Sequence, residues 1–406
     1  MKSNTGVTRR GFLATAATGL ISAGLAGLVP GRILADDKQQ ADEKTEKKII
    51  TRRLGKTDLI LPVISMGAIN ATHPGLIEAA YKAGIRHIDT AAGYQYGRNE
   101  QMIGSTLSRL GIRDRMAIGT KVYVGTRNDV SGEKFKQKFQ QTFEGSLKRL
   151  KTDYVDILYL HDAQRPEDPL NSATMEILSE MKEQKKTRYI GIATHTQIPD
   201  IINNTIKAGI YDVLLVSMNL TMGDDSDWLA AIKKAATAGI GIIAMKTMAG
   251  GSRWPNAESR QQYSTTTIAK ASLKWVMRQE HVATCIPGFA NYQELEEDVS
   301  VAYDLTLTED EKNLLSDNDV TYGFGFCKQC RTCLASCPDE VDIPKLMRTH
   351  MYAAQYGNLQ HARATLDEIP KQHGLNNCIS CVTCTAHCAN TVDINHRIQE
   401  LKLMYG

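Results

Sequence analysis

Four residues in the middle of the chain have the types and the spacing for proton transfer. The apolar run Ala83-Gly84-Ile85-Arg86-His87-Ile88 leads into Asp89, and the small-residue turn Thr90-Ala91-Ala92-Gly93 then presents Tyr94. Lys121 closes the run that begins at Met116, and His161 closes the run that begins at Tyr154. A β-branched apolar run ended by a turn reads as a buried strand entering a loop. Asp89 and Lys121 are 32 residues apart, and Lys121 and His161 are 40 apart. A barrel of eight βα units in about 250 residues has about 31 residues per unit, and its strand ends all meet at one face. The four side chains therefore converge. Reducing a carbonyl leaves an alkoxide that needs a proton. A free tyrosine is a weak acid with a pKa of about 10, and a buried cation alongside lowers it by about 1–3 units. Lys121 can supply that cation, Asp89 can hold it charged and oriented, and His161 can hydrogen-bond the substrate oxygen.

A second chemistry lies near the C-terminus. Eight of the nine cysteines fall between Cys327 and Cys388. Cys327, Cys330, Cys333 and Cys337 follow the spacing C-x2-C-x2-C-x3-C-P of bacterial ferredoxins, and Cys378, Cys381, Cys384 and Cys388 repeat it with Ala389 in place of the proline. Three closely spaced thiolates wrap one cubane, and the fourth of each run reaches the other. One [4Fe–4S] cluster thus takes Cys327, Cys330, Cys333 and Cys388, and the other takes Cys378, Cys381, Cys384 and Cys337. Zinc and disulfides are the alternatives. Structural zinc pairs CxxC units and does not need three cysteines at steps of three; export makes disulfides permissible. The ninth cysteine, Cys285, sits alone in an apolar run and reads as a core residue.

The elements that position these residues alternate. Ile49–Leu54 and Leu59–Leu61 flank Gly55–Asp58 as a hairpin. Strands are expected near 62–67, 84–89, 116–121, 154–160, 188–193, 211–217, 240–246 and 282–286, with helices between, such as Glu133–Leu150 and Asp224–Ala238. Eight βα units in one series predict an α/β chain folded as a (β/α)8 TIM barrel over 49–318. No Gly-x-Gly-x-x-Gly follows the first strand, which counts against a Rossmann domain. Between the cysteine runs, Leu346, Met347, Met351 and Ala354, then Leu359, Ala362 and Leu366, recur at helical spacing. Residues 319–406 resemble a small α-helical ferredoxin-type domain.

The blocks RRLGKTDL, HIDTAAGYQYGRNEQMIG, IGTKV and SLKRLKTDYVDILYLHD resemble the aldo-keto reductase family from about residue 49 to about 318. The resemblance implies Asp89, Tyr94, Lys121 and His161 as the catalytic set, and NADP(H) as cofactor. The cofactor contacts depart from the family. Ala193 and Thr194 stand where it has Ser-Asn, Leu215 where it has Gln, Met245 where it has a stacking aromatic, and Gly288 and Glu294 where it has bases for the 2′-phosphate. Thr194, Lys246, Gly250 and Gly251 are what remains to touch a nicotinamide cofactor, the glycines through backbone N–H groups. These departures put NADP(H) binding in doubt and leave three accounts open. One is an enzyme with tightly held NADP(H). Another is a barrel fed with electrons through the clusters. The third is a non-catalytic electron-transfer or assembly subunit.

The first residues resemble a twin-arginine signal, with Arg9-Arg10 before an Ala/Gly/Leu-rich run. Residues 1–35 are assigned to it and the charged stretch 36–48 to a linker. The route carries folded cargo, which suits a chain that takes up clusters before export, and it places the protein outside the cytoplasm. The membrane is involved only through an uncleaved signal. The 406 residues carry a formal charge of +3, which gives no reason to invoke nucleic acid. The expected partners are a small carbonyl, alcohol or sugar and a redox partner protein.

Overall fold

Eight short strands run parallel in strict chain order around a barrel: β3 (Met66–Gly67), β4 (His87–Asp89), β5 (Ala117–Val122), β6 (Val155–Ala163), β7 (Thr187–Thr194), β8 (Val213–Ser217), β9 (Gly241–Met245) and β10 (Thr284–Cys285). The ring closes between its first and last members. Ser65 N donates to Cys285 O at 2.8 Å, and Cys285 N donates to Val63 O at 3.0 Å. This computed structural model describes residues 48–123, 132–223, 226–250, 262–318, 325–381 and 383–406. The signal segment, the linker up to residue 47, Gly251 and residues 319–324 lie outside the described residues.

Strand side chains alternate between two faces, and the barrel sorts them into two cores. Ala117, Ile157, Tyr159, Val213, Leu215 and Ile243 fill the interior. Their neighbours Ile118, Leu158, Ile192, Leu214, Val216 and Ile242 face the helices outside. The antiparallel hairpin of β1 (Thr51–Arg53) and β2 (Ile60–Pro62) plugs the N-terminal end with Leu54, Leu59 and Leu61. Gly241 permits this, because a Cβ there would come within 2.5 Å of Leu54 Cγ. The helix Glu133–Leu150 forms over the range expected and buries Phe135, Phe139, Phe143, Leu147 and Leu150. These recur at three- and four-residue steps, the period of one helix face. Cys285 is fully buried in the outer core, as its apolar run suggested.

The strands are shorter at both ends of the series than the apolar runs, because hydrophobicity continues into loops that pack under the helices. β6 departs the other way. It runs past His161 to Ala163, with a register shift after Leu160 and a left-handed Asp162 at φ +59°. That bulge re-aims the strand end, so both His161 and Asp162 reach the mouth.

The cysteine-rich part is helical, with Ile343–His350, Leu359–Asp367 and Ile394–Tyr405 as its α-helices. A π-turn at Met351–Gln355 follows the first helix, with Tyr356 N donating to Met351 O at 3.1 Å. This corrects the expected apolar face. The wider turn shifts the phase, so Ala353 is buried and Ala354 is exposed. Leu359, expected inside, is 58% exposed. From residue 47 onward the barrel and this helical part are one unit. An apolar seam of Ile69, Leu220, Ala249, Phe326, Met351 and Ala353 joins them.

Candidate active site and cluster sites

The C-terminal ends of β4, β5 and β6 bring Asp89, Lys121 and His161 to the barrel mouth, and the turn after β4 adds Tyr94. Lys121 Nζ donates to Asp89 Oδ1 and, at 2.6 Å, to Thr90 O. Burial pulls the Lys121 ammonium below its usual range and pushes the Asp89 carboxyl above its own, and in each case the partner's charge opposes the shift. Lys121 Nζ lies 5.3 Å from the centre of the Tyr94 ring. The His161 ring meets Tyr94 edge to face, with centres 6.3 Å apart. Burial, with Lys121 nearby, depresses the His161 pKa to about 3. His161 is therefore a neutral ring at ordinary pH and acts as a hydrogen-bond partner.

Tyr94 departs from the sequence-based expectation. Its pKa is raised, by burial first and by the Asp89 charge second, rather than lowered. The reason is a cover that the sequence did not reveal. The segment Ile343–Asp367 of the cysteine-rich part lies across the barrel mouth. Arg348 grips Asp162 with two bonds of 2.7 Å, and Lys345 bonds Glu368 at 3.1 Å beside it. Tyr352 accepts from Lys246 Nζ at 2.8 Å, and His361 packs against both Tyr352 and Tyr94 with ring centres 4.3 and 5.3 Å away. Arg348, Tyr352, Gln355 and His361 are thus site residues that sequence reasoning missed. The only hint was that this segment, between two cysteine runs, is rich in residues able to transfer protons.

A cavity of about 160 Å³ runs from Tyr94 and Asp89 past Met245–Met248 to Glu294, Glu297 and Asp298. Three buried polar atoms on residues lining it have no partner: Asp89 Oδ2, Thr247 Oγ1 and Gln355 Oε1. Such atoms ask for a polar ligand. At the far end, burial and the neighbouring Glu294 and Glu297 push the Asp298 carboxyl well up. Among the described residues lining this cavity, Lys246 at the inner end is the one cation. A 2′-phosphate at that end would meet carboxyl groups and, among the described residues there, no cation.

Of the four residues suggested for the nicotinamide, two line or touch this region. Burial, with Arg348 and Lys121 near, brings Lys246 down to about 7. Gly250, at φ +102°, lets Gln355 Oε1 approach to where a Cβ would stand. Thr194 uses its hydroxyl on Ala163 O at 2.8 Å. Gly251 lies outside the described residues.

The eight cysteines divide between two further cavities. Cys327, Cys330, Cys333 and Cys388 line one, and Cys337, Cys378, Cys381 and Cys384 line the other. All eight are unbridged. Donors already point at the first set: Gln329 Nε2 to Cys327 Sγ at 3.3 Å, Thr332 Oγ1 to Cys330 Sγ at 3.4 Å and Asn390 N to Cys388 Sγ at 3.3 Å. Four thiols around a common space, with N–H and O–H groups on the sulfurs, fit a cubane.

Comparison with known proteins agrees with this division. Residues 70–266 match the aldo/keto reductase family, and residues 326–392 match the 4Fe-4S dicluster domain. The oxidoreductase YqkF of Bacillus subtilis is 25% identical over 66% of this chain and 95% of its own. L-galactose dehydrogenase of Arabidopsis thaliana is 26% identical over 64% of this chain and 89% of its own. An aldo-keto reductase of Bacillus halodurans, solved in a holo form, superposes with a TM-score of 0.55 at 22% identity, covering 66% of this chain and 95% of that one; this likeness is one of fold. The chain is an oxidoreductase that joins an aldo/keto reductase-like barrel to a 4Fe-4S dicluster domain.

Proposed function

We propose that this chain interconverts a small carbonyl compound and its alcohol at Tyr94, with electrons reaching the barrel through two [4Fe–4S] clusters. The observation that carries the reading is the meeting of Tyr94, Lys121, Asp89 and His161 beneath the segment that links the two cysteine runs. Relatives named L-galactose dehydrogenase and NADH-specific methylglyoxal reductase support small aldehydes, ketones and sugars as the substrate class.

Reducing the carbonyl takes two electrons and two protons. Tyr94 is a neutral phenol in its covered setting and donates a proton to the carbonyl oxygen as charge grows there. Lys121 supports the phenolate that remains, and Asp89 keeps Lys121 oriented. Neutral His161 hydrogen-bonds the same oxygen. The second proton, which completes the new C–H bond as the second electron arrives, is assigned to Tyr352, the cover phenol held by Lys246. The clusters, when bound, supply electrons singly, one from each. No step is assigned to NADP(H).

The twin-arginine signal read at Arg9-Arg10 supports export in the folded state, and a redox protein outside the cytoplasm is then the electron partner. The reading of a non-catalytic electron carrier draws on one observation, the covered mouth. Assay of small aldehydes, ketones and sugars with an artificial one-electron donor, with and without added nicotinamide, decides. Turnover with the donor alone supports the proposal. A strict need for nicotinamide overturns the electron route, and no turnover with any substrate favours the carrier.

A further inference from the structure

The two cysteine sets are not equivalent in their contact with the barrel. Both cysteine cavities are lined by residues of the cysteine-rich part alone. Ile379, beside Cys378, is 79% exposed. Cys327, in contrast, also lines a small cavity shared with His195, Ser217 and Lys246 of the barrel and with Arg348 and Arg397. One residue ties the two sides together. Gln329 Nε2 donates to Cys327 Sγ at 3.3 Å and to Pro344 O at 2.8 Å. The carbonyl oxygen of the same residue accepts from Thr196 Oγ1, on the barrel, at 2.6 Å. Gln329 is 8% exposed and its backbone is left-handed, at φ +58°. Thr196 follows His195, whose Nδ1 pairs with Ser217 Oγ at 2.8 Å. A continuous set of short contacts therefore runs from the mouth of the barrel to one cysteine sulfur.

We propose that the cluster of Cys327, Cys330, Cys333 and Cys388 is the one proximal to the barrel, and that Gln329, fixed by Thr196, is a positioning residue that sets its potential. The other cluster, whose cysteines share no cavity with the barrel, is the distal one. The inference rests on the proposed cluster reading. Its physical basis is that an N–H directed at a ligand sulfur stabilises the reduced cluster, which carries one more negative charge, and so raises its potential. Lys246, Arg348 and Arg397 around the shared cavity act in the same sense.

The test is an equilibrium redox titration of the full-length protein, followed by electron paramagnetic resonance without substrate. Gln329→Leu removes both donors at similar volume. Thr196→Val touches no cysteine and frees the Gln329 carbonyl. Cys381→Ser marks the distal cluster by altering its step. Gln329→Leu and Thr196→Val are each expected to move the other step to more negative potential and to leave the marked one in place. A Thr196→Val titration that matches wild type overturns the proposal, as does a shift of the step marked by Cys381→Ser. The Thr196 variant carries the test if Gln329→Leu fails to assemble. No turnover is needed, so the result stands whether or not carbonyl chemistry does. Absence of iron and sulfide in the same sample overturns both readings together.

Discussion

Arg348 lies across both carboxylate oxygens of Asp162, at 2.7 Å each, and so fastens the cysteine-rich part to the barrel at the end of the strand that carries His161. Both residues are at most 8% exposed. The guanidinium holds the Asp162 carboxyl well below the usual range against the opposing effect of burial. Removing one partner of such a pair costs up to about 3–5 kcal/mol, less here because Lys345 Nζ also lies 3.8 Å from Asp162 Oδ2. Arg348→Met should lower the melting temperature and speed hydrogen exchange at Tyr352 and Gln355 above that at the barrel strands. Arg348→Met with Asp162→Leu should recover much of the stability. Equal loss in the double variant would show that the pair does not fasten the cover.

Tyr94→Phe removes one hydroxyl and keeps the ring against His361. Turnover is expected to fall about 10²–10⁴-fold, the usual contribution of a general acid. Cluster absorbance and reduction should match wild type. A variant that turns over at the wild-type rate would remove Tyr94 from the chemistry.

Lys246 gives a pH dependence with a defined sign. Its pKa of about 7 in the folded protein lies below the ordinary 10.5. Between those values the unfolded chain holds a proton that the folded one has released, so stability rises with pH, by at most about 1.4 kcal/mol per unit. That contribution is fully present above 10.5 and lost as pH falls through 7. Stability relative to Lys246→Met should therefore increase between pH 7 and 10. Parallel profiles for the two proteins would place the lysine in water.

Two cubanes need four thiolates each, so anaerobically purified protein should hold about eight iron and eight sulfide per chain. Cys330→Ser should lower the occupancy of one cluster and leave the other partly intact. One zinc per four cysteines, or no sulfide, would dismiss the clusters.

Export is expected to depend on the arginine pair. Changing Arg9 and Arg10 to lysine should hold the protein in the cytoplasm, as measured by fractionation. Unchanged delivery across the membrane would dismiss the twin-arginine reading.

The sequence by itself determined the barrel, because an apolar strand and an amphipathic helix each leave a periodic mark within a single stretch of chain. It also named Asp89, Tyr94, Lys121 and His161, since strand ends are where apolar runs stop. The pairing of Cys388 with the first cysteine run was legible too, from the spacing of the thiols. What lies over Tyr94 was not legible. Arg348 meets Asp162 across 186 positions of sequence, and Tyr352 meets Lys246 across 106. Neither pair leaves a local pattern, because long-range polar contacts depend on how two finished elements dock. The π-turn at Met351–Gln355 also escaped, since one extra residue in a turn rotates the helix face without changing composition. Tertiary structure therefore decided the state of Tyr94. The sequence set a cation near its ring, and the docked segment buried the hydroxyl, so the cost of desolvating a phenolate outweighs what nearby cations offset.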